Sequence, residues 1–442
     1  MADAIERLQK LGLLVPEILL PKEGTDLSRW AVIACDQHTS NRDYWKQVAD
    51  TVGEHPSSLH LVFPEVYLEN GEIDRRVESI RETMHRYLRE GVLESQGPLA
   101  VFTERYTQGA RPRRGLVLAV DLERYDYAPG SKTLIRATEE TILSRLPVRE
   151  RIREGAPLEL PHVMLLLDDP DDTVFGAVEA MRGGLRTVYD TELMLGGGHI
   201  TGYALETETA LETVATPIED LADPTQLTDR YGTGDELLLA VGDGNHSLAA
   251  AKGVWERQKA AGADPETHPG RYALIEIVNL YDPALTIEPI HRVIFGADAD
   301  AVRTRFRDLA GASWEQWGDA QQALERVKNS GDEFSLLDGG GTAVFSLPGD
   351  DTALPQERVE AEIERIAAES TDVTVDYIHG TDELARLVAN GEAVGIAMPG
   401  LERELLFPRV LTSGPLPRKM FSMGESFEKR YYLEARKISP QT

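Results

Sequence analysis

The sequence predicts a mixed α/β (α+β) protein, and three observations carry the prediction. Short apolar runs end in polar corners, as in "RWAVIACD", "PHVMLLLDD" and "ELLLAVGD". Stretches with helical spacing, such as residues 75–92 and "QERVEAEIERIAAES", lie between them. The two kinds of segment alternate along the chain instead of separating into blocks. The expected architecture is mixed sheets with flanking helices in three lobes: an N-terminal α/β lobe (1–130), a central core (131–300) and a C-terminal α+β lobe (301–442). No linker marks the boundaries near 130 and 300.

In chain order, "RWAVIACD" (29–36) reads as a buried strand ending in the polar corner "DQHTSNRDYW". "PLAVFTERYT" and "RGLVLAVDLERYDY" read as paired strands with the basic "RPRR" at the hairpin tip. "TEETILSRLPVRERIREG" reads as a helix interrupted near Pro147. "PHVMLLLDD" is a strand, and "VFGAVEAMRGG" a short helix with a glycine stop. "MLGGGHITGY", around His199, reads as a hairpin turn in preference to another backbone cradle. "RYALIEIVNLYD" and "LTIEPIHRVIF" look like adjoining strands. Residues 301–330 read as helical and 334–347 as strand around a Gly-Gly-Gly turn. The tail shows a helix and then a strand in "DYIHGTDELARLVANGEAVGIAMP".

Composition sets outer bounds. The 442 residues suffice for two or three domains, with 41% hydrophobic and 7% aromatic residues. Acidic residues outnumber basic ones, 75 to 46, for a formal net charge of −29. That field repels nucleic-acid backbones and anionic membranes. The single cysteine, Cys35, excludes an internal disulfide and fits a reducing cytoplasm. No apolar run reaches the roughly 20 residues of a spanning helix. The N-terminus does not read as a signal peptide. Walker A and protein-kinase motifs are absent.

The stretch with most chemistry is "ELLLAVGDGNHSLAAAKGVWERQKA" (236–260), an apolar run driven into Gly-Asp-Gly-Asn-His-Ser and then a helix-like segment. Gly242 and Gly244 suit a tight turn. Ser247 or Asn245 can cap the helix. Its N-terminal N–H groups form an anion site. Asp243 suits Mg²⁺ or the orientation of a hydroxyl, and His246 can donate to a phosphoryl oxygen. The plainer reading is a capped turn.

Other polar clusters join this one as candidates. Asp36, Gln37, His38, Thr39 and Ser40 sit at a predicted strand end, where Thr39 or Ser40 could cap the next helix. Thr138 reads as a helix N-cap, which would hold Glu139 near a positive helix end as an ionised proton acceptor. Arg136 and Arg145 lie nearby. His291 and Arg292 interrupt an apolar strand, so at most one of them should point inward. Arg418 and Lys419 form a local basic patch in an acidic chain.

These stretches carry a resemblance. "CDQHTSNRDYW", "IRATEETILSRLPVRERIR", "PHVMLLLDD", "VGDGNHSLAAAK", "YALIEIVNLYD", "EPIHRVIF" and "LPRKMFSMGESFEKRYYLEAR" together resemble the bacterial and archaeal domain-of-unknown-function family numbered one thousand and fifteen, over nearly the whole chain. That family resembles the ParB/sulfiredoxin superfamily, which includes free-serine kinases. The resemblance implies a ParB/sulfiredoxin-like core with additional α+β lobes. The superfamily's Asp-Gly-His-His-Arg phosphate corner is matched here by Asp243, Gly244 and His246, with Asn245 replacing the first His and Ser247 the Arg. The missing Arg removes a bidentate phosphate grip. Phosphate binding then leans on Mg²⁺, backbone N–H groups and Arg145, Arg292 or Lys419.

The resemblance further implies Glu139 as catalytic base, although no His precedes it, and Lys419 as the C-terminal lysine over the substrate. Asp36, His38, Thr39, His291, Arg418 and Ser422 fall on the substrate side. The implied function is a cytoplasmic kinase for free L-serine or a similar small hydroxy amino acid. Its phosphoryl donor would be ATP, ADP or pyrophosphate, with Mg²⁺, and it would have no nucleic-acid or membrane partner. A ParB-type nucleotide switch and a phosphate-ester or nucleotide hydrolase remain open, as does the oligomeric state.

Overall fold

The computed structural model describes residues 2–71, 73–107, 111–309, 311–347 and 353–440. The fold is mixed α/β, as the alternating pattern predicts. The chain forms two compact units: Met1–Leu285 together with Gly424–Thr442, and Thr286–Met423.

The first unit is built on a mixed sheet. Its main strands are β1 (Ala100–Tyr106), β2 (Arg113–Asp121), β3 (Ile135–Ala137), β4 (Met164–Leu167), β5 (Arg186–Leu193), β6 (Gly198–Leu205), β7 (Leu239–Asp243) and β8 (Tyr272–Asn279). Their order is β5-β6-β1-β2-β8-β4-β7-β3, with Tyr125–Asp126 beyond β3 and Leu13–Leu14 against β2. The expected boundary at 130 falls inside this sheet, because β1 and β2 pair directly or through β8 with strands from the next segment. The sheet is covered on both faces. Along β2, Val117 and Ala119 enter one apolar core, while Leu116, Leu118 and Val120 enter the other. Two covered faces explain why β2 reads as a nearly continuous apolar run.

The C-terminal tail returns to this unit. Ile33 bridges Tyr431, Leu19 bridges Ala435, and Arg436–Lys437 pairs with Leu158–Glu159. These contacts deliver the charged run Lys429-Arg430 to the interior, where both are buried.

The second unit holds a separate sheet: β9 (Ile287–Phe295), β10 (Ser313–Trp317), β11 (Glu333–Asp338), β12 (Gly341–Ser346), β13 (Thr374–His379), β14 (Ala393–Ala397) and β15 (Phe421–Met423). The order is β10-β12-β11-β14-β9-β13, with β15 also on β9.

Several expectations are corrected. "RWAVIACD" is buried but is no sheet strand. Leu27–Trp30 is a helical turn capped by Asp26, and the extended residues after it bond the tail through Ala34 N–H to Arg430 O and Tyr432 N–H to Val32 O. Asn41, not Thr39 or Ser40, caps helix α1 (Arg42–Val52) by accepting from Tyr44 N–H. Arg113 and Arg114 of "RPRR" lie inside β2, where Arg114 pairs with Asp172, Glu179 and Asp282; residues 108–110 of that connection lie outside the described ones. Strands β8 and β9 do not adjoin, since they belong to different sheets. Residues 301–330 are not continuously helical: strand β10 separates Ala299–Asp308 from Ala320–Lys328. His291 and Arg292 are both buried, because apolar clusters cover both faces of β9, with Ile294 in one and Val293 in the other.

Candidate functional site

The strand-to-helix corner is present. Strand β7 runs parallel to β3 and antiparallel to β4, with a register irregularity between Val241 and Asp243. Helix α3 (Asn245–Ala260) starts immediately afterward; helix α2 (Leu146–Arg153) packs beside it. The helix is capped by Gly244 in the left-handed region (φ 80°), so neither Ser247 nor Asn245 is the cap. A Cβ on Gly244 would lie 3.0 Å from Val163 Cα, and one on Gly242 would lie 2.8 Å from Leu166 Cγ. Glycine is therefore required at 244 by both φ and space.

The anion site is narrower than the whole 244–247 run. Gly244 N–H donates to Asp243 Oδ1 at 3.0 Å, and Ser247 N–H donates to Gly244 O. Among the described residues, the N–H groups of Asn245 and His246 have no acceptor. They are the two orphan donors at this helix end.

Glu139 reaches the corner by a route the sequence misassigns. No helix begins at Thr138. Residues 138–142 continue from β3 as a non-helical segment, Leu143–Arg145 forms a single 3₁₀ turn, and α2 starts at Leu146 with Pro147 in its first turn. Proline is tolerated there because its missing N–H has no intrahelical partner. Thr138 Oγ1 donates to Val241 O at 2.6 Å, and Ile142 N–H donates to His246 Nε2 at 3.1 Å. These tethers fix the segment against the corner at both ends. Ala137 stands opposite Val241 at the end of the parallel register, and Glu139 follows two residues further along the tethered segment.

Burial, reinforced by Arg149 and Arg145 and opposed by Asp36, pulls His246 down to about 4. The ring is neutral at pH 7. With Nε2 accepting from Ile142, Nδ1–H is the free donor. His291 of the second unit is likewise held at about 4 by burial, then by Arg292, and accepts from Met398 N–H. Both values lie below the unfolded histidine value near 6.5. Each contribution to stability is therefore complete above pH 6.5 and lost as pH falls toward 4. The expected result is a smaller drop in urea midpoint between pH 7.5 and 5 for His246→Gln than for the parent chain; equal drops would contradict it.

Sequence reasoning missed Lys429, Thr141 and His162 here, while Asn245 was already a phosphate-site candidate. Lys429, 5% exposed, places Nζ 3.1 Å from Asp243 Oδ2. Thr141 Oγ1 and Asn245 Oδ1 are buried and, among the described residues, have no hydrogen-bond partner. His162 places Nε2 2.7 Å from Ser247 Oγ. Lys429 and His162 lie within "FEKRYY" and "PHVMLLL", but nothing local in either stretch points to the corner.

Asp243 does not fit the role of Mg²⁺ ligand expected for it. Oδ1 takes the Gly244 N–H and Oδ2 the Lys429 ammonium. Among the described residues, no group of three His, Cys, Asp or Glu side chains is placed to hold a metal ion.

The other candidates fall as follows. Asp36, Arg145 and Arg149 act electrostatically on His246, and Arg145 is exposed. Asp36 accepts from Gln37 Nε2, His38 stacks on Tyr44 with ring centroids 3.7 Å apart, and Thr39 is exposed. Arg292, His291, Arg418, Lys419 and Ser422 belong to the second unit. Arg292 is fully buried and donates to Glu360 at 2.8 Å. Lys419 Nζ lies 4.3 Å and Arg418 Cζ 5.7 Å from the Tyr377 ring centroid. Ser422 pairs with Glu288 through β15.

Fold and corner together define a mixed α/β protein with a glycine-capped, polar strand-to-helix site. The family model described as "Protein of unknown function (DUF1015)" matches residues 19–374, and the chain belongs to that family. A search of curated proteins gives no match. Among solved structures the chain is similar to a conserved hypothetical protein from Pyrococcus furiosus, at 12% identity and a TM-score of 0.36, covering 71% of this chain and 93% of that one. It is similar to a free serine kinase in complex with AMP at 12% identity and a TM-score of 0.38, covering 72% and 92%. It is also similar to SbnI from Staphylococcus aureus at 9% identity and a TM-score of 0.36, covering 70% and 82%. No described helix is long and apolar enough to cross a membrane.

Proposed function

We propose that the chain is a small-molecule kinase that phosphorylates free L-serine or a similar small hydroxy amino acid. The observation that carries this reading is the tethering of the Glu139 segment to the corner, by Thr138 Oγ1 on Val241 O and Ile142 N–H on His246 Nε2 at the start of α3. The motif resemblance supplies the reaction class. In this reading Glu139 takes the acceptor hydroxyl proton. Asp243, fixed by Lys429 and the Gly244 N–H, orients that hydroxyl. The N–H groups of Asn245 and His246, with His246 Nδ1–H, face the transferring phosphoryl group. Asn245 Oδ1 and Thr141 Oγ1 are buried polar atoms that a polar substrate would satisfy. The work is positioning and electrostatic stabilisation, as phosphoryl transfer requires. Lys429 supplies a fixed cation where the superfamily's arginine is replaced by Ser247.

The test incubates the full chain with a panel of small hydroxyl compounds and, separately, ATP, ADP and pyrophosphate, with products read by mass spectrometry. Phosphoserine, or another phosphorylated hydroxy amino acid, is expected with at least one donor. Release of phosphate alone would replace this reading with hydrolysis. No turnover with any donor would leave a binding switch.

A further inference from the structure

A second constellation adjoins the corner at Ser247. Ser247, partly exposed, lines a cavity of about 140 Å³ together with His162, Tyr432, Cys35, Arg149 and Glu65. Ala250, one turn further along α3, faces the same space. Most of the remaining wall is apolar, including Phe63, Met84 and Leu158. Within it runs a relay of short contacts. Ser247 Oγ is 2.7 Å from His162 Nε2, His162 Nδ1 is 3.1 Å from Tyr432 Oη, and Tyr432 Oη accepts from Cys35 N–H at 3.0 Å.

The relay has the form of an activated nucleophile: a hydroxyl, a base within hydrogen-bond reach, and a third group orienting the base. One lone pair of Tyr432 Oη takes the Cys35 N–H. In the His162 tautomer whose Nδ1–H donates to the second lone pair, Nε2 is the acceptor facing Ser247. A capping role does not account for the pair, since Gly244 is the cap.

We infer that Ser247 is itself a phosphoryl acceptor, activated by His162, so that the chain carries a phosphoserine at this corner. The inference rests on the proposed function only in taking its donor, a nucleoside polyphosphate or pyrophosphate, from the corner. Ser247 Oγ bonds to the terminal phosphorus, and the bridging P–O bond breaks. Its electron pair leaves with the nucleotide or phosphate, and the hydroxyl proton passes to His162 Nε2 and then to water. The new dianion lies in a cavity shared with Arg149, whose guanidinium pairs with Glu65, so the phosphate competes with that carboxylate for it.

The full chain is incubated with ATP, ADP or pyrophosphate, each labelled at its terminal phosphate, and digested for peptide mapping. Free serine is present in parallel samples. The expected result is one acid-stable label on the peptide containing Ser247. It is absent in Ser247→Ala and formed at least about a hundredfold more slowly in His162→Gln, the scale of a lost general base. A fluorophosphonate probe, which reports an activated serine without any variant, is expected to modify Ser247 in the parent chain. A label on another residue, an acid-labile label, or a Ser247 inert to the probe overturns the inference. Free phosphoserine without label on Ser247 overturns it and leaves the kinase reading standing. A label on Ser247 without free phosphoserine supports it and removes the small-molecule acceptor. Neither product overturns both.

Discussion

Glu139→Gln is expected to lower turnover by roughly 10²–10⁴-fold, the range of a lost general base, while the chain stays folded. The amide keeps the size of the side chain and its capacity for hydrogen bonds but cannot take a proton. The backbone around it is held without its side chain, by Thr138 Oγ1 on Val241 O and by Ile142 N–H on His246. The loss should therefore appear in kcat. Activity within a few-fold of the parent would remove Glu139 from the chemistry. Asp243→Asn is the less clean partner experiment. The sequence suggests that it would spare stability, because Asn caps as well as Asp. Asp243 caps nothing, however, and its carboxylate faces a Lys429 side chain only 7% exposed. Removing one member of a fully buried pair costs about 3–5 kcal/mol. Asp243 is 24% exposed, so a smaller loss, on the order of 2 kcal/mol, is expected alongside any loss of rate.

How far the site was legible follows from where each residue's partner lies. The corner itself was readable, because glycine, strand and helix signals are local: "ELLLAV" gives β7, and Gly242 and Gly244 give the turn. Paired strands β1 and β2 and the hairpin β5–β6 were readable for the same reason. The start of α2 was misplaced because Thr138 and Glu139 look like a cap and first turn. Thr138 spends its hydroxyl on a neighbouring strand instead, a partner known only once the sheet is assembled. Alternation failed at His291 and Arg292 because β9 has two covered faces; Met398 N–H and Glu360 satisfy the two side chains. Lys429 and His162 are invisible locally. Each is brought to the corner by a contact across the sequence, one to Asp243 and one to Ser247.

The largest stability effect is expected for Arg430→Met, because Arg430 holds the returning tail in the interior of the first unit. Nη1 donates to Glu276 at 2.7 Å and Nη2 to Glu434 at 2.6 Å, with all three side chains 2% exposed or less. Thr103 Oγ1 and Arg113 also serve Glu276, and Tyr189 donates to Glu434. Burial alone would raise Glu276, but Arg430 and then Arg113 outweigh it and hold the carboxyl below its ordinary value. Methionine fills much of the arginine stem's volume yet leaves two buried carboxylates without their main cation. The cost is about 3–5 kcal/mol, against a total stability of roughly 5–15 kcal/mol for a domain. A lowered carboxyl contributes stability above its unfolded value near 4.5 and loses it as pH falls through the folded value. Arg430→Met should therefore show a urea midpoint well below the parent's at pH 7, and the gap should narrow in acid as the stranded carboxylates take protons. Lys429 and Tyr432 flank Arg430, so labelling of Ser247 should fall with the tail's docking. An unchanged midpoint at pH 7 would mean that the apolar contacts of Tyr431, Tyr432 and Leu433 hold the tail without the buried charges.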